Sequence, residues 1–578
     1  MEMLLKTSPM NLTVQPDTLT VSARFRSDSI AMGSGLLGYW LLICISAGFM
    51  NIFSKAPYSK IRTHSRRLDS IRSLITIPTL LPHGRHTVSL CSFGLLPTRL
   101  EALILSGFTI PVTIFSLSFS NEHQRITAPS TTIQWAHNLG IRTGILSMFT
   151  LQLSFLFAGR NNILLWLTGW KQATFLTYHK WISRLSVALV VVHTAAFHVV
   201  FRGMGLWEQK KKTGAYHTGI VAICCMILLV IFAAYWIRKR SYELFSLFHI
   251  LLTGACLLGS FKHLRAYNAE AFVYPILGIW LVDRIIRAAR VLAFGVQRAH
   301  CQLVTKENIK ITIPKRKFWR ALPGAYGYIH FFTLSGFFQS HPFSIVIDDE
   351  RNVIMYAKIK SGITSSLYHR LINQPDQSAY IDVSVEGPYG DKKPLQRFET
   401  ILLYAGGNGI PSPYAYARSM SRKQKRVKLY WVIRSTKSFE WFRSEFKALR
   451  DTSVEVVVYI TKQDDETNDM LLEDFSSDLE TMALHTNSVM SEDNESSTEK
   501  TVLCANVEDK GLGDFIEFRY GRPNITELIK LDLQESSGSV AVMSCGHNKM
   551  VDHIRNAVAD NLSAAQGRVD YYEELQTW

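Results

Sequence analysis

The chain has 578 residues, 47% of them hydrophobic, with a formal net charge of +16 and a mean hydropathy of +0.07. That length holds several domains, and the hydropathy fits apolar spans joined to a soluble part. The positive excess sits largely in loops between apolar runs, so it reads as membrane topology and not as a nucleic-acid footprint. The eight cysteines contain no CxxC pair and no disulfide framework.

Residues 1–30 are polar and predict a poorly ordered outer tail, without the short charged region and apolar run of a cleavable signal peptide. Apolar spans follow near 32–53, 100–120, 140–158, 180–201, 215–237, 245–261 and 271–293. They predict a transmembrane domain of about seven helices over 31–295. Asp283, Arg284, Arg287 and Arg290 charge the second half of the seventh, which predicts a span continuing into water as an amphipathic helix.

The loops set the orientation. The stretch 54–99 carries Lys55, Lys60, Arg62, Arg66, Arg67, Arg72, Arg85 and Arg99 against Asp69. Arg160, Lys171 and Lys180 follow span 3, and Arg238, Lys239 and Arg240 follow span 5. These alternate loops predict the cytosolic side, with Lys210, Lys211 and Lys212 as a local contradiction. The N-terminus then faces outward, and everything after span 7 faces the cytosol.

Within the fourth and sixth spans lie two pairs of histidines, His179 with His193 and His249 with His263, each spaced by 14 residues. Fourteen residues make almost four helical turns, so both imidazoles of a pair share one face, roughly 21 Å apart along the axis. A lone histidine in an apolar helix is usually a packed residue. Four at matched spacing in membrane spans are costly and point to function. The topology makes both spans run from inside to outside, so His179 lies level with His249 and His193 with His263. Two haems, each with two axial histidines, would form a path for electrons. His198 also lies on the fourth span, on a different face and without a counterpart five residues after His263.

After residue 295 short alternating runs such as IKITIP, GYIHFFTL, SIVI and YIDVSVE predict β-strands over 296–398. From 399 to 578 strand and helix patterns alternate (TILLYAG, PYAYARSM, KLYWVIR, WFRSEFKAL, VEVVVYI), the signature of a parallel α/β sheet. The acidic, polar stretch 463–500 predicts a disordered surface insertion.

The soluble motifs carry the donor chemistry. His341, Pro342, Phe343 and Ser344 open one strand. Gly362 and Thr364 stand between a strand and a helix, where helix-start amides favour an anion such as a flavin pyrophosphate; the alternative is an ordinary strand–turn–helix. Gly406, Gly407 and Gly409 lie directly after the strand TILLY and before a helical run, where a dinucleotide can approach the backbone. Glu386-Gly387-Pro388-Tyr389-Gly390 reads as a tight turn at a domain junction. Cys545 and Gly546 follow the strand GSVAVM. Arg434 ends KLYWVIR, where it pairs with a 2′-phosphate or equally is a surface residue.

Together the H-x13-H pairs, RNN at 160–162, LTGW at 167–170, HPFS, EGPYG, AGGNGI, YWVIR, GRPN at 521–524, SCG at 544–546 and the ending YYEELQTW resemble the yeast-type ferric/cupric-chelate reductases. These belong to the ferric reductase/NADPH oxidase superfamily, and the resemblance covers about residues 100–578. It implies a ferredoxin-NADP reductase-like soluble module, with an FAD-binding β-barrel and a nucleotide-binding α/β domain. It also implies two haem b groups on His179, His193, His249 and His263, and FAD on His341, Pro342, Phe343, Ser344, Gly362 and Thr364. NADPH is expected on Gly387, Pro388, Gly406, Gly407, Gly409, Arg434, Cys545 and Gly546. Cys545 is expected near the nicotinamide and Trp578 over the flavin ring. Pro411 replaces the Thr common after the glycine run, and His547 replaces the Pro of the usual Cys-Gly-Pro.

The expected activity is NADPH-dependent reduction of ferric and cupric chelates across the plasma membrane, supporting metal uptake. Expected partners are lipid, the chelates, and a metal permease or oxidase, with no nucleic acid. A superoxide-generating NADPH oxidase shares the same relay. A redox-inert transporter or scaffold would lack haem and flavin.

Overall fold

The computed structural model describes residues 16–55, 66–81, 96–118, 130–333, 339–360, 362–390, 393–420, 425–462 and 515–575. The predicted insertion at 463–500 and Trp578 lie outside the described residues.

Seven long helices come first: α1 (Pro16–Lys55), α2 (Arg99–Leu117), α3 (Thr131–Ala158), α4 (Gln172–Gly203), α5 (Gly214–Phe232), α6 (Tyr242–Arg265) and α7 (Tyr274–Phe294). Their starts are written locally. Thr98 and Glu101 form a reciprocal capping box on α2, Ser130 accepts from the Ile133 amide on α3, and Thr213 accepts from the Tyr216 amide on α5. Among the described residues α1 to α6 are long and apolar enough to cross a membrane. The most apolar stretch of α3 is 61% buried, against 17–28% for the other five, so α3 is the hub of the bundle. Large apolar side chains such as Leu41, Phe49, Leu103 and Ile114 stay exposed on the outer faces.

Three boundaries differ from expectation. Helix α1 begins at Pro16, inside the tail read as poorly ordered. Phe25 and Ser29, four residues apart and buried, face inward there, and the Arg142 guanidinium of α3 lies 4.6 Å over the Phe25 ring. Charges at Arg24, Arg26 and Asp28 mask that stripe in the sequence. Helix α3 begins nine residues before 140, because its first turns bury His137 and Asn138 in the bundle and so look polar. Helix α7 falls outside the six candidate spans, leaving six and not seven. Its charged half runs onto the soluble part, where Arg290 donates to the Pro388 carbonyl at 3.1 Å and Ser384 donates to the Val291 carbonyl at 3.2 Å.

A closed antiparallel barrel follows: β1 (Gln297–Thr305), β2 (Asn308–Pro314), β3 (Tyr326–Phe331), β4 (His341–Asp348), β5 (Asn352–Lys358) and β6 (Ser378–Tyr389), ordered β1-β2-β5-β4-β3-β6. Ile309, Ile311 and Ile313 alternate inward, as do Ile381, Val383 and Val385. Helix α8 (Ile363–Ile372) packs on it through Ile363, Leu367 and Leu371. The EGPYG stretch is not a free turn. It completes β6, with Glu386 opposite Tyr328 and Tyr389 opposite Tyr326.

The last unit is a six-stranded parallel sheet: β7 (Thr400–Gly406), β8 (Arg426–Ile433), β9 (Val454–Ile460), β10 (Ile516–Tyr520), β11 (Val540–Gly546) and β12 (Val569–Leu575). The order is β10-β9-β8-β7-β11-β12. Helices α9 (Pro411–Met420), α10 (Ile525–Gln534) and α11 (Asn548–Asp560) cover it. The chain winds outward from β7 and then returns to place β11 on β7's other side. The topological switch therefore lies between the carboxyl ends of β7 and β11, where open α/β sheets bind ligands.

Candidate electron-transfer sites

Helices α4 and α6 face each other with their histidines at matching levels. The His179 and His249 ring centres are 6.4 Å apart, and those of His193 and His263 are 6.3 Å apart. Two metal–nitrogen bonds of about 2.0 Å, each extended roughly 1.1 Å to a ring centre, span about 6.2 Å. Both gaps therefore accept one metal ion between two imidazoles.

The outer ring nitrogens are held by backbone. His179 Nδ1 donates to the Ser154 carbonyl at 2.9 Å, His193 Nδ1 to the Gly140 carbonyl at 2.7 Å and His263 Nδ1 to the Ala215 carbonyl at 2.8 Å. This fixes the tautomer and leaves the Nε2 lone pair free to bind a metal. His249 Nδ1 has no hydrogen-bond partner among the described residues. Glycines make the approach possible: a Cβ on Gly144 would stand 2.6 Å from His193 Nδ1, and one on Gly219 2.8 Å from His263 Nδ1. Sequence reasoning missed these supports, although Gly140 and Ser154 repeat the 14-residue period of the histidines they hold. His198 packs instead on Trp207, with ring centres 4.7 Å apart.

On the barrel, His341, Pro342, Phe343 and Ser344 open β4 beside β3, with Ser344 opposite Tyr326. Burial lowers the His341 pKa, so the ring is neutral at pH 7. Gly362 precedes α8 with φ +77°, a backbone region that favours glycine, and no side chain caps that helix. Its first amides are thus open to an anion. Thr364 is committed locally, its Oγ1 accepting from the Lys360 amide at 2.9 Å. Gly387 and Pro388, assigned from the sequence to the nucleotide, sit in β6. The Gly387 carbonyl accepts from Trp319 at 3.1 Å and the Pro388 carbonyl from Arg290.

At the sheet's switch point two glycine turns meet. A Cβ on Gly409 would lie 2.6 Å from the Cys545 carbonyl, and one on Gly546 would lie 2.9 Å from Gly406 Cα. These three glycines pack turn against turn. Gly407 differs: φ is +49° and nothing lies within 4 Å of its Cβ position, so it borders open space. Cys545 is 2% exposed, and burial pushes its thiol pKa up, keeping it protonated. Arg434 is exposed at the end of β8.

Two junctions tie these units together. Glu386, 1% exposed, accepts from the Tyr389 hydroxyl at 2.7 Å, and pairs with Arg287 of α7 at 3.1 Å and with Arg160 at 3.4 Å. Burial works to raise its pKa, but His330, Arg287, Arg160 and Tyr389 outweigh it and hold the carboxyl at about 2. A carboxylate lowered in this way stabilises the folded state fully above its ordinary pKa of 4.5, and that contribution is lost as pH falls toward 2. The second junction joins residues 66–81 to the sheet. Arg72 bonds Asp570 at 3.0 Å and the Val569 carbonyl, Arg555 bonds the Ile77 carbonyl at 2.7 Å and pairs with Glu573, and Lys171 pairs with Glu573 at 3.7 Å.

Family models match in three consecutive blocks: "Ferric reductase like transmembrane component" over residues 143–260, "FAD-binding domain" over 293–393 and "Ferric reductase NAD binding domain" over 398–559. The probable ferric reductase transmembrane component of Candida albicans is 35% identical over 95% of this chain and 82% of its own length. Ferric reductase transmembrane component 4 of Saccharomyces cerevisiae is 30% identical over 94% of this chain and 78% of its own. With its helical bundle, barrel and parallel sheet in the same succession as those matches, the chain belongs to the fungal ferric reductase family.

Proposed function

We propose that the chain takes electrons from cytosolic NADPH and delivers them, through FAD and two haem b groups, to ferric and cupric chelates outside the plasma membrane, in support of iron and copper uptake. When bound, NADPH supplies a hydride, FAD splits it into single electrons, and haem iron carries them across the bilayer. The observation that carries the reading is the pair of imidazole gaps of 6.4 and 6.3 Å between α4 and α6, each sized for one metal ion.

His179 and His249 hold the inner haem, and His193 and His263 the outer. Carbonyls on α3 and α5 orient three of the four rings and so fix which nitrogen faces iron. With an imidazole on either side, haem iron held there would offer the acceptor no ligand position, so the acceptor would be reduced by outer-sphere transfer. Lys262 and Lys210–Lys212 lie toward the outer end, where positive charge draws anionic chelates. His341–Ser344, with the amides after Gly362, seat FAD. Gly407 lets the NADPH pyrophosphate approach, Arg434 meets its 2′-phosphate, Cys545 borders the nicotinamide and Trp578 covers the flavin ring. In this reading the haem domain spans 31–295, the flavin barrel 296–398 and the nucleotide domain 399–578. A metal permease or oxidase is the natural consumer of the reduced metal.

The test is a reduced-minus-oxidised spectrum of membranes with NADPH as donor, comparing the chain with His193→Ala and His263→Ala. Each variant should lose the outer haem, about half the haem b signal, together with ferric-chelate reduction. Full haem content with full reduction in both variants would overturn the ligand assignment.

A further inference from the structure

Helix α6 carries His249 in the membrane and, one and a half turns earlier, Glu243 in its first turn. Glu243 reaches the barrel. A Cβ placed on Gly362 would overlap its carboxylate, with Cδ 3.3 Å away, and the same charge acts on His341. Among the described residues the carboxylate makes no hydrogen bond or ion pair, and Glu243 is exposed. The N-terminus of α8 beside it has no side-chain cap. An acid with no partner among the described residues thus faces the helix start to which the flavin diphosphate is assigned. Two anions cannot share that positive dipole end without repulsion.

We propose that Glu243 is an anion gate on the flavin seat. Resting on the reading that α8 holds the FAD diphosphate, the gate occupies the electrostatic place of the diphosphate while the seat is empty and must yield as FAD enters. Gly362 is favoured by its φ of +77°, and a side chain there would push the Glu243 carboxylate aside. The acid stands on the helix that ligates the inner haem, so seating of the flavin acts directly on α6. The gate sets how readily the flavin is retained.

The test is a fluorescence titration of FAD into the deflavinated full-length chain in detergent, for the parent and for Glu243→Gln, which keeps the shape and removes the charge. The variant should bind FAD roughly two- to fivefold more tightly at low ionic strength. The advantage should shrink as salt screens the site. An unchanged haem spectrum in the variant shows that α6 and His249 remain in place. Weaker binding by the variant would mean that the carboxylate accepts hydrogen bonds from FAD hydroxyls, and it overturns the gate. Equal binding overturns it too. If the parent itself does not bind FAD, the flavin seat and the gate both fall, so the two failures are distinguishable.

Discussion

At Gly144 and Gly219 a hydrogen stands where a methyl group would press on the imidazole of His193 or His263. The gaps of 2.6 and 2.8 Å to His193 and His263 Nδ1 are below any normal contact. Adding a methyl would push the ring off its carbonyl and turn Nε2 away from the gap between α4 and α6. Overpacking of this kind costs about 1–3 kcal/mol. Gly144→Ala should therefore remove the outer haem while leaving the inner one, halving the haem b content per protein. A pyridine haemochrome assay on purified protein reads this directly, and full haem content would show that the ring has room to shift. The inner pair has no such glycine: His179 is held by Ser154, and His249 Nδ1 stands unbonded among the described residues. The two levels thus share the ligand type and differ in how firmly the rings are fixed.

At the scale of elements, the switch between β7 and β11 separates two kinds of glycine. Gly409 and Gly546 let the turns after β7 and β11 touch, whereas Gly407 opens toward solvent with φ +49°. Gly409→Ala sets a methyl against a backbone carbonyl that cannot yield, so it should destabilise the nucleotide domain and lower the thermal midpoint by several degrees. Gly407→Ala carries only the left-handed backbone cost of about 1–2 kcal/mol. It should lower the midpoint less than Gly409→Ala does and raise the KM for NADPH more, as steady-state kinetics would reveal; equal effects of the two would refute the division.

The sequence identified the strand–glycine–helix pattern here but could not distinguish these roles, because turn-to-turn packing joins residues more than 130 apart. The strand IKITIP was legible because its inward isoleucines alternate. Strand β1 was missed, since its inward residues Ala299 and Cys301 are small and its outward ones are Arg298, His300 and Gln302. Gly387 and Pro388 have turn chemistry, yet cross-strand pairing carries β6 straight through them. The histidine pairs were legible at once, because helical period and depth are both local properties of the sequence.

Over the whole molecule, two sets of ion pairs among the described residues fasten the soluble units to the bundle. Glu386 joins the barrel to α7, and the 66–81 segment joins the sheet to the loop before α2. Glu573 on β12 meets both Arg555 and Lys171, and Lys171 immediately precedes α4, eight residues before His179. Relative placement of donor and acceptor sets the rate of electron transfer, and each added ångström slows it severalfold. The double variant Arg72→Ala/Glu573→Gln should therefore lower ferric-chelate reduction severalfold. NADPH-driven reduction of a small dye that takes electrons from the flavin should fall less than twofold, because that path stays within the soluble module. A parallel loss of both activities would show that the contacts only stabilise the sheet.

The bond from Arg72 to Asp570 joins residues 498 positions apart. At about 5–20 residues per second of synthesis, the arginine waits roughly 25–100 seconds for its partner to be made. By then every membrane helix has left the ribosome. The nucleotide sheet thus gains its final tether to the bundle only after translation has nearly ended. A chain halted before β12 would have α4, α6 and the barrel, but not the contact that ties the nucleotide sheet to the bundle.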